Sequence, residues 1–354
     1  MAENIPGLSS ALAVRICVDA DGARWDAYVD AAAKATVSHR WAWRRILQEV
    51  FGHRCHYLIA ERDGAVAGVL PLAEVKTLLF GHSLVSLPFC AHAGPIADDE
   101  ATLLALEAHA VELANETGVQ HLELRGRADA AARDWPSNEE TYVEFSRPIL
   151  ADADENLRAI PGKQRNMVRK GMKNGLVSEL ADVKTMFPLH AQNMHRHGTP
   201  TFPQRYFDAL LEGFGNDAEI LLVRRTHGVE PLSCMISLFF RNQMSALNAG
   251  DTLQARALAA NHFLYWQLIC RAAERGCDTF SSGRSKRGTG SFDFKDNWGF
   301  TPTPLRYDYR LLRRNEIPQN NPLNPKYRLL IGAWRRMPGW FVNRAGPMLI
   351  RGLG

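Results

Sequence analysis

The residues best suited to chemistry lie between Gly283 and Phe300, in the segment GRSKRGTGSFDFKDNWGF. Its glycines permit close backbone approaches, its hydroxyls can cap a helix, and four cations stand among only two acids. A basic loop that leads into a helix N-terminus offers N–H groups and a positive dipole end to a phosphate, a carboxylate or a developing oxyanion. We therefore predict a substrate-binding loop made of Gly283, Arg284, Ser285, Lys286, Gly288, Thr289 and Gly290.

The helix predicted after this loop carries the main catalytic candidate, Lys295. Phe294 and Trp298 are spaced i, i+4 and would anchor the helix to a core, so that Lys295 can reach back toward the loop. We count Trp298 among the predicted substrate-binding residues as well. A solvated basic turn before a core helix is the simpler alternative. A P-loop is excluded, because Thr289 stands where that motif requires lysine.

A second basic segment precedes this one, with six cations and no acids between residues 158 and 173. Arg165, Arg169 and Lys173 recur at i, i+4 and i+8 on one helical face, and Val168 and Met172 share the adjoining apolar one. Arginine forks suit phosphate, so we predict that this face binds a phosphate of a donor or an acceptor. A solvated helical face is the alternative.

Two side chains are further catalytic candidates, as general bases: His197, in the turn HRHGTPTFP between two helices, and Asp251. Turns held between rigid elements often carry function, although a turn histidine is more commonly structural. Asp293 is a third candidate base. Asn261, near the start of a later helix, completes the predicted substrate-binding set.

Composition limits the class of protein. With 354 residues and 46% hydrophobic content, the chain can form one large or two medium domains. We expect no secretory signal and no membrane helix, because the most apolar stretch, Leu78 to Ala97, contains two histidines and two prolines. Six scattered cysteines without a C-x-x-C pair, and histidines without H-E-x-x-H, predict buried thiols in a reducing compartment and no metal site.

The net charge of +4 comes from the C-terminal tail, since residues 317–354 hold six basic side chains and no acid. Aromatic residues lie beside these cations, but Pro338, Gly339 and Pro347 interrupt the tail and argue against one spanning helix. The tail, taken as residues 325–354, could therefore lie on an anionic membrane surface. An arm packed on the body is the alternative.

An internal repeat predicts the fold. A helix that ends at Gly52 is followed by two strands joined by a turn at Gly64. The same order of elements recurs with Gly215 at the end of the helix and Gly228 in the turn. Each copy continues with a strand, a helix and another strand. We therefore expect an α/β protein with mixed sheets in two tandem domains, residues 1–150 and 151–316, followed by the tail from residue 317.

These units resemble the twin GNAT-type domains of the FemAB aminoacyltransferases and related acyltransferases, most strongly over residues 155–310. QRNMVRKGMKNG is similar to that family's R-x-x-x-R-K-A-x-K-x-G helix, with Gly171 in the place of alanine. FSSGRSKRGTGSFDFKDNWGF is similar to its closing G-R-S…G-T…F-K-x-x-W/F-G signature. The GTPTFP turn and the NPKYRLLIGAWRRMP tail resemble a branch associated with exosortase/PEP-CTERM systems, which accompany exopolysaccharide production.

The resemblance implies transfer of an acyl or aminoacyl group to an amine, without a metal or a tightly bound cofactor. The donor would be aminoacyl-tRNA or acyl-CoA, and the acceptor a lipid-linked or cell-envelope glycan. Lys295 matches the family's lysine in F-K, which is implicated in holding a substrate phosphate and in stabilising charge at the reacting carbonyl. We expect a cytoplasmic protein, with the tail able to contact the inner face of the membrane.

Two departures from this family leave the donor open. The segment QARALA, residues 254–259, has Ala257 and Ala259 where CoA-dependent GNAT enzymes carry a glycine-containing pyrophosphate cradle. The long helical hairpin that some Fem proteins are thought to use for tRNA is also missing. The alternatives are an acyl-CoA-dependent N-acyltransferase, a non-catalytic GNAT-like module that regulates exopolysaccharide assembly, and a tRNA-binding protein; we expect no DNA partner.

Overall fold

The computed structural model describes residues 12–77, 81–126, 135–318 and 325–352. Two compact units divide this chain. The first contains the described residues up to Asn138 together with Arg306–Ile317, and the second contains Glu139–Leu305 together with the described residues from Pro318 onward. Helices and mixed sheets in both units confirm the predicted α/β class.

The elements up to Asn138 are, in chain order, β1 (Leu12–Ile16), α1 (Gly22–Ala31), α2 (Ala42–Phe51), β2 (Leu58–Arg62), β3 (Ala65–Leu70), β4 (Ala73–Thr77), β5 (Gly81–Val85), β6 (Ile96–Ala97), α3 (Glu100–Glu116), β7 (His121–Arg125) and β8 (Ser137–Asn138).

The remaining elements are β9 (Tyr142–Pro148), α4 (Ala153–Ala159), α5 (Gly162–Lys173), β10 (Leu176–Leu180), α6 (Val183–His197), α7 (Gln204–Phe214), β11 (Ala218–Arg225), β12 (Pro231–Phe240), β13 (Gln243–Asp251), α8 (Leu253–Leu258), α9 (Ala260–Glu274), β14 (Thr279–Lys286), α10 (Gly290–Asn297), β15 (Thr301–Pro304), β16 (Tyr307–Leu311), α11 (Pro325–Arg336) and α12 (Gly339–Ile350).

The repeat predicted from the sequence is present in both units. In each copy a helix ends at a glycine, two antiparallel strands follow, and a later strand pairs in parallel with the strand after the next helix. The parallel pairs are β5 with β7 and β13 with β14, each over three registered residues. One copy departs from the plan, because Pro71, which lacks an N–H, separates β3 from β4 and the two strands enter different sheets.

Two strands complete the sheets from distant parts of the sequence. β9 pairs with β14 in the seven-stranded sheet of the second unit, which has the order β10-β11-β12-β13-β14-β9-β15. β16 pairs with β7 in the first unit, in a sheet with the order β4-β5-β7-β16-β8, beside a second sheet with the order β1-β2-β3-β6. The sequence pattern had placed β9 in the first domain and β16 in the second.

Helices cover both faces of the seven-stranded sheet. On one face Cys234 of β12 contacts the Met186 carbonyl of α6 at 4.0 Å. On the other face its neighbour Met235 joins a buried cluster with Val168 of α5, side chains of α9, and Trp298 at the end of α10. α5 and α10 therefore lie on the face opposite α6.

Gly171 allows α5 to approach α9 closely. A Cβ at this position would lie 2.9 Å from the Cβ of Phe263, a distance that side-chain atoms essentially never show. This contact explains glycine where the FemAB-type helix usually has alanine. It also corrects one expectation: Met172 is 42% exposed, because Gly171 and Val168 are the residues that face the core.

The C-terminal tail forms two helices, α11 and α12, which break at Pro338 as expected, whereas α12 continues through Pro347. Among the described residues, no helix combines the length and the apolar character needed to cross a membrane.

Candidate active site of the second unit

The centre of the candidate site is a fork between β13 and β14. Their parallel pairing ends at Ser245 and Ser281. Beyond this point β13 follows β12 as far as Asp251, past a register shift, and β14 follows β9 as far as Lys286. The two strands therefore diverge, and beyond this point their backbone N–H and C=O groups no longer pair with each other.

Gly283 lies in the fork, two residues beyond the last pair. Its φ of +76° is in the left-handed region, and a Cβ there would lie 2.9 Å from the backbone carbonyl oxygen of Ala246. Only glycine combines that conformation with such a close approach between the strands. The Gly283 N–H is 3.2 Å from the hydroxyl oxygen of Ser281, to which it donates.

Lys295 projects from α10 toward this glycine and is only 6% exposed. Its Nζ donates to the carbonyl oxygens of Gly283 at 3.0 Å and Arg284 at 3.4 Å. Burial lowers the pKa of Lys295 from 10.5 to about 8, and the negative charge of Glu144 opposes that shift. These two carbonyls use two of the three N–H groups that an ammonium carries.

The start of α10 fixes the position of Lys295. Thr289 caps the helix, since its hydroxyl accepts from the Phe292 N–H at 3.4 Å and donates to the Lys286 carbonyl at 2.7 Å. Phe292 packs edge-on against Phe145 of β9, with ring centroids 5.1 Å apart. The helix is thereby tied both to the end of β14 and to the core.

The predicted binding loop is shorter than the sequence indicated. Gly283, Arg284, Ser285 and Lys286 belong to β14, because the last three pair with β9, and only residues 287–289 connect the strand to α10. Ser285 is buried and its hydroxyl lies 3.1 Å from that of Ser291. Gly288 and Gly290 are exposed in or beside the short connection.

Arg284 and Lys286 are turned toward β9. The Arg284 guanidinium carbon lies 4.6 Å and the Lys286 Nζ 5.6 Å from the ring centroid of Tyr142. The Lys286 Nζ is buried, has no hydrogen-bond partner among the described residues, and has its pKa lowered by burial and by Arg284. Tyr142 and Glu144 were missed from the sequence, because only the β9–β14 pairing makes them neighbours of this segment.

Trp298 is a core residue in this structure rather than a substrate contact. It is fully buried, and its Nε1 donates to Nδ1 of His262 at 3.1 Å. The two rings are stacked with centroids 5.7 Å apart, and burial lowers the pKa of His262 to about 4. Trp298 therefore anchors α10 and acts on Lys295 only through the position of that helix.

The carboxylate of Asp251 is held by two donors at the end of β13. It accepts from the guanidinium of Arg196 on α6 and from Nδ2 of Asn261 on α9, the latter at 2.7 Å. These donors orient the carboxylate, so that Asp251 connects helices from both faces to the sheet. Asn261 directs its amide nitrogen at Asp251, and its role as a substrate-binding residue stays a prediction.

His197 and Lys295 are not brought together, because α6 and α10 lie on opposite faces of the sheet. His197 is exposed at the end of α6, and its carbonyl accepts from Nη2 of Arg335 at 3.1 Å. Partial burial of its ring, together with the charge of Arg196, lowers the pKa of His197. The position suits a structural turn histidine better than a base that works with Lys295.

The basic face of α5 exists as predicted. Arg165 is half-buried and its Nη1 donates to the Arg158 carbonyl at 3.0 Å, whereas Arg169 and Lys173 are exposed. No ion pair joins Arg165, Arg169 or Lys173 to an acid in the part of the chain that the structure describes. These cations therefore offer charge that an external phosphate could use.

The segment expected at the position of a pyrophosphate cradle forms the short helix α8. The Ala259 N–H donates to the Arg256 carbonyl at 3.3 Å, and the Ala255 N–H to the Thr252 carbonyl at 3.2 Å. Ala259 has a φ of 60°, a left-handed conformation that glycine adopts more easily. These two backbone N–H groups are therefore already bonded, and Ala257 is exposed.

The corresponding position of the first unit carries an arginine. β5 and β7 pair as far as Val85 and Glu123, so that Arg125 occupies the place of Gly283. Arg125 is buried, and its guanidinium donates to Glu123 at 2.6 Å and to the carbonyls of Leu87 and Cys90 at 3.2 and 3.3 Å. The glycine and the lysine that define the site occur in the second unit.

No group of three or more His, Cys, Asp or Glu side chains that could hold a metal occurs within the described ranges.

Comparison with known families gives one match. Residues 162–296 match the family described as an acetyltransferase (GNAT) domain, a segment that begins with α5 and includes Lys295. A search of curated proteins gives no match.

Solved structures resemble the chain over most of its length. The crystal structure of FemX has a TM-score of 0.64 at 17% identity, covering 88% of this chain and 98% of FemX. L-PGS from Bacillus licheniformis has a TM-score of 0.55 at 13% identity, covering 90% and 98%. A tandem GNAT protein from the clavulanic acid biosynthesis pathway has a TM-score of 0.53 at 11% identity, covering 86% and 100%. These likenesses concern the fold and agree with the predicted tandem GNAT-type architecture, and the family match supports an acyltransferase.

Proposed function

We propose that this chain, whose residues 162–296 match a GNAT acetyltransferase domain, transfers an acyl or aminoacyl group to an amine with Lys295 as the catalytic residue. The observation that supports this proposal most strongly is the buried Lys295 ammonium at the fork, which is aligned by the carbonyls of Gly283 and Arg284. A charged donor fixed in a site from which water is largely excluded suits the stabilisation of a developing oxyanion.

In the proposed reaction the neutral amine of the acceptor attacks an ester or thioester carbonyl of the donor. The new C–N bond forms as the carbonyl π electrons move to oxygen, and the remaining N–H of Lys295 donates to that oxyanion. Collapse of the tetrahedral intermediate re-forms the carbonyl and breaks the C–O or C–S bond. The leaving group takes up a proton equivalent to the one that the amine loses.

We assign donor binding to the basic face of α5. Arg165, Arg169 and Lys173 would pair with a donor phosphate, and their lack of described acidic partners supports this role. The donor is aminoacyl-tRNA or acyl-CoA. The form of this segment favours aminoacyl-tRNA, because the N–H groups of Ala255 and Ala259 already donate to nearby carbonyls and Ala257 has a methyl group where a pyrophosphate cradle carries glycine. The family match, by its description, keeps acyl-CoA as the second candidate.

For the acceptor we propose an amine on a cell-envelope or exopolysaccharide-related glycan, in a protein of the PEP-CTERM-associated branch. The support is the resemblance of the GTPTFP turn and of the tail to that branch. Such an acceptor, if lipid-linked, would be met at the inner face of the membrane by a cytoplasmic enzyme whose residues 325–354 contact the lipid surface.

The test is a titration of the purified chain with acetyl-CoA, longer acyl-CoAs and an aminoacylated tRNA pool, each at two salt concentrations. We expect saturable, salt-dependent binding of tRNA that Arg165→Ala and Arg169→Ala weaken, while the exposed-lysine control Lys184→Ala leaves it unchanged. Saturable binding of acyl-CoA alone would instead assign the chain as an N-acyltransferase. Absence of binding to all donors would contradict the transferase proposal and favour a non-catalytic binding module.

A further inference from the structure

The two tail helices each bury one side against the rest of the second unit. Trp334 of α11 and Val342 and Ile350 of α12 are 8%, 2% and 6% exposed. The backbone is close as well, because a Cβ added at Gly346 would lie 3.0 Å from the Thr201 backbone nitrogen. The tail is therefore a fixed part of this unit, and its orientation on α6 and the turn after it is set by packing.

The opposite side of α12 exposes large apolar residues. Trp340 is 73% exposed, Met348 is 77% exposed and Phe341 is 39% exposed. Trp340, Arg344 and Met348 follow one another at i, i+4 and i+8, so that they form one stripe on the helix with Phe341 at its edge. We call these four residues the outer face of α12.

The charges that the tail itself carries are of one sign. Residues 317–354 contain no acid, and Arg335, Arg336 and Arg344 are exposed. A helix with cations beside tryptophan, phenylalanine and other apolar side chains, and no negative charge, is typical of helices that lie in the interface of an anionic bilayer. An RNA partner could use the cations and the aromatic rings. The exposed side chain of Met348 favours a lipid surface instead, because lipid accommodates an unbranched apolar side chain as well as aromatic ones.

We propose that the outer face of α12 binds an anionic lipid bilayer, with Trp340, Phe341 and Met348 entering the headgroup region and Arg344 pairing with lipid phosphates. This inference is independent of the acyl-transfer chemistry, because none of these residues belongs to the fork or to α5. It would place the second unit at the surface where a lipid-linked acceptor is found.

The experiment is flotation of the full chain with vesicles made of equal parts phosphatidylglycerol and phosphatidylcholine, and with vesicles of phosphatidylcholine alone. We expect binding to the anionic vesicles that falls at high salt. Trp340→Ser combined with Met348→Ser should lower the partition coefficient by about tenfold or more, because the outer face loses most of its apolar area. Arg344→Glu should lower the partition coefficient roughly thirtyfold. A cation near such a surface raises partition about fivefold, and the substitution both removes this attraction and adds a repulsion of similar size.

Two control variants change the same chemistry elsewhere. Val229→Ser removes an apolar residue that is 94% exposed, and Lys184→Glu reverses an exposed lysine of α6. Both should float like the wild type, and all variants should keep its melting temperature. Equal partition of the outer-face variants and the wild type would overturn the proposal, as would saturable binding to RNA without binding to vesicles. Turnover with a water-soluble acceptor amine should be unchanged in Trp340→Ser, which separates membrane docking from the proposed reaction.

Discussion

The Nζ of Lys295 lies 3.0 Å from the carbonyl oxygen of Gly283, so this buried ammonium is hydrogen-bonded to a strand position at which a Cβ would lie 2.9 Å from the Ala246 carbonyl oxygen. Glycine at position 283 lets β14 pass close to the Ala246 carbonyl of β13, and the carbonyls of Gly283 and Arg284 align the lysine. The conformation of the backbone and the position of the Lys295 charge are thereby coupled at this point of the fold.

The lowered pKa of Lys295 predicts how stability depends on pH. The folded pKa is about 8 and the unfolded value is 10.5, so folding disfavours the ammonium. That penalty is fully present below pH 8 and disappears as the pH rises to 10.5, which means that the free energy of unfolding gains up to about 3 kcal/mol across this window. Lys295→Met should lack this gain. Denaturant unfolding of both proteins at several pH values measures the difference, and parallel pH profiles would contradict the assignment.

Gly283 and Gly288 provide a matched pair of substitutions. Both have positive φ values, +76° and +74°, but a Cβ at Gly288 would meet nothing within 4 Å, whereas one at Gly283 would meet the Ala246 carbonyl. Gly288→Ala should therefore lower the free energy of unfolding by about 1 kcal/mol through backbone strain alone. Gly283→Ala should lower it by about 1 to 3 kcal/mol more, because the strands must separate.

Activity should separate the two glycine variants further. If the fork is the active site, turnover of Gly283→Ala falls even at temperatures where the variant is folded, while Gly288→Ala retains most of it. Equal loss of stability in both variants, measured by thermal and denaturant unfolding, would show that the close approach of Gly283 to Ala246 does not add to the cost of a Cβ in the free energy of unfolding.

Asp251→Asn tests whether this carboxylate positions helices or accepts a proton. Because Asp251 accepts from Arg196 and Asn261, the substitution should lower the free energy of unfolding by about 1 to 3 kcal/mol. Turnover measured on the folded fraction should change less than tenfold. A general base, in contrast, contributes about a hundredfold or more, so a loss of that size with unchanged stability would restore Asp251 as a catalytic candidate.

Local spacing was sufficient to predict α2, α3, α7 and α9, the hairpins that follow α2 and α7, and the aromatic anchors of α10, since these depend on residues close in sequence. It did not predict that α12 continues through Pro347. It placed Lys295 between Phe294 and Trp298 and identified the left-handed glycines that end α2 and precede β11. The internal repeat predicted the tandem arrangement, which agrees with the fold comparisons.

Long-range pairing determined what the sequence could not provide. Gly283 to Lys286 looked like a loop because glycine and charge dominate there, and only their pairing with β9 makes them a strand. The same pairing brings Tyr142 and Glu144 to the site. The partners of Asp251 come from two helices on opposite faces of the sheet, so spacing along the chain could not distinguish a base from a positioning residue.

The central claim is tested most directly by single-turnover transfer with the donor that binds saturably, comparing the wild type, Lys295→Ala and the exposed-lysine control Lys184→Ala. We expect Lys295→Ala to slow transfer by about two to three orders of magnitude, the weight of one preorganised oxyanion donor, with the fold retained and donor affinity less affected. The wild-type rate should fall as the pH rises through about 8, where the ammonium loses its proton. A Lys295→Ala variant that transfers at the wild-type rate would contradict the account.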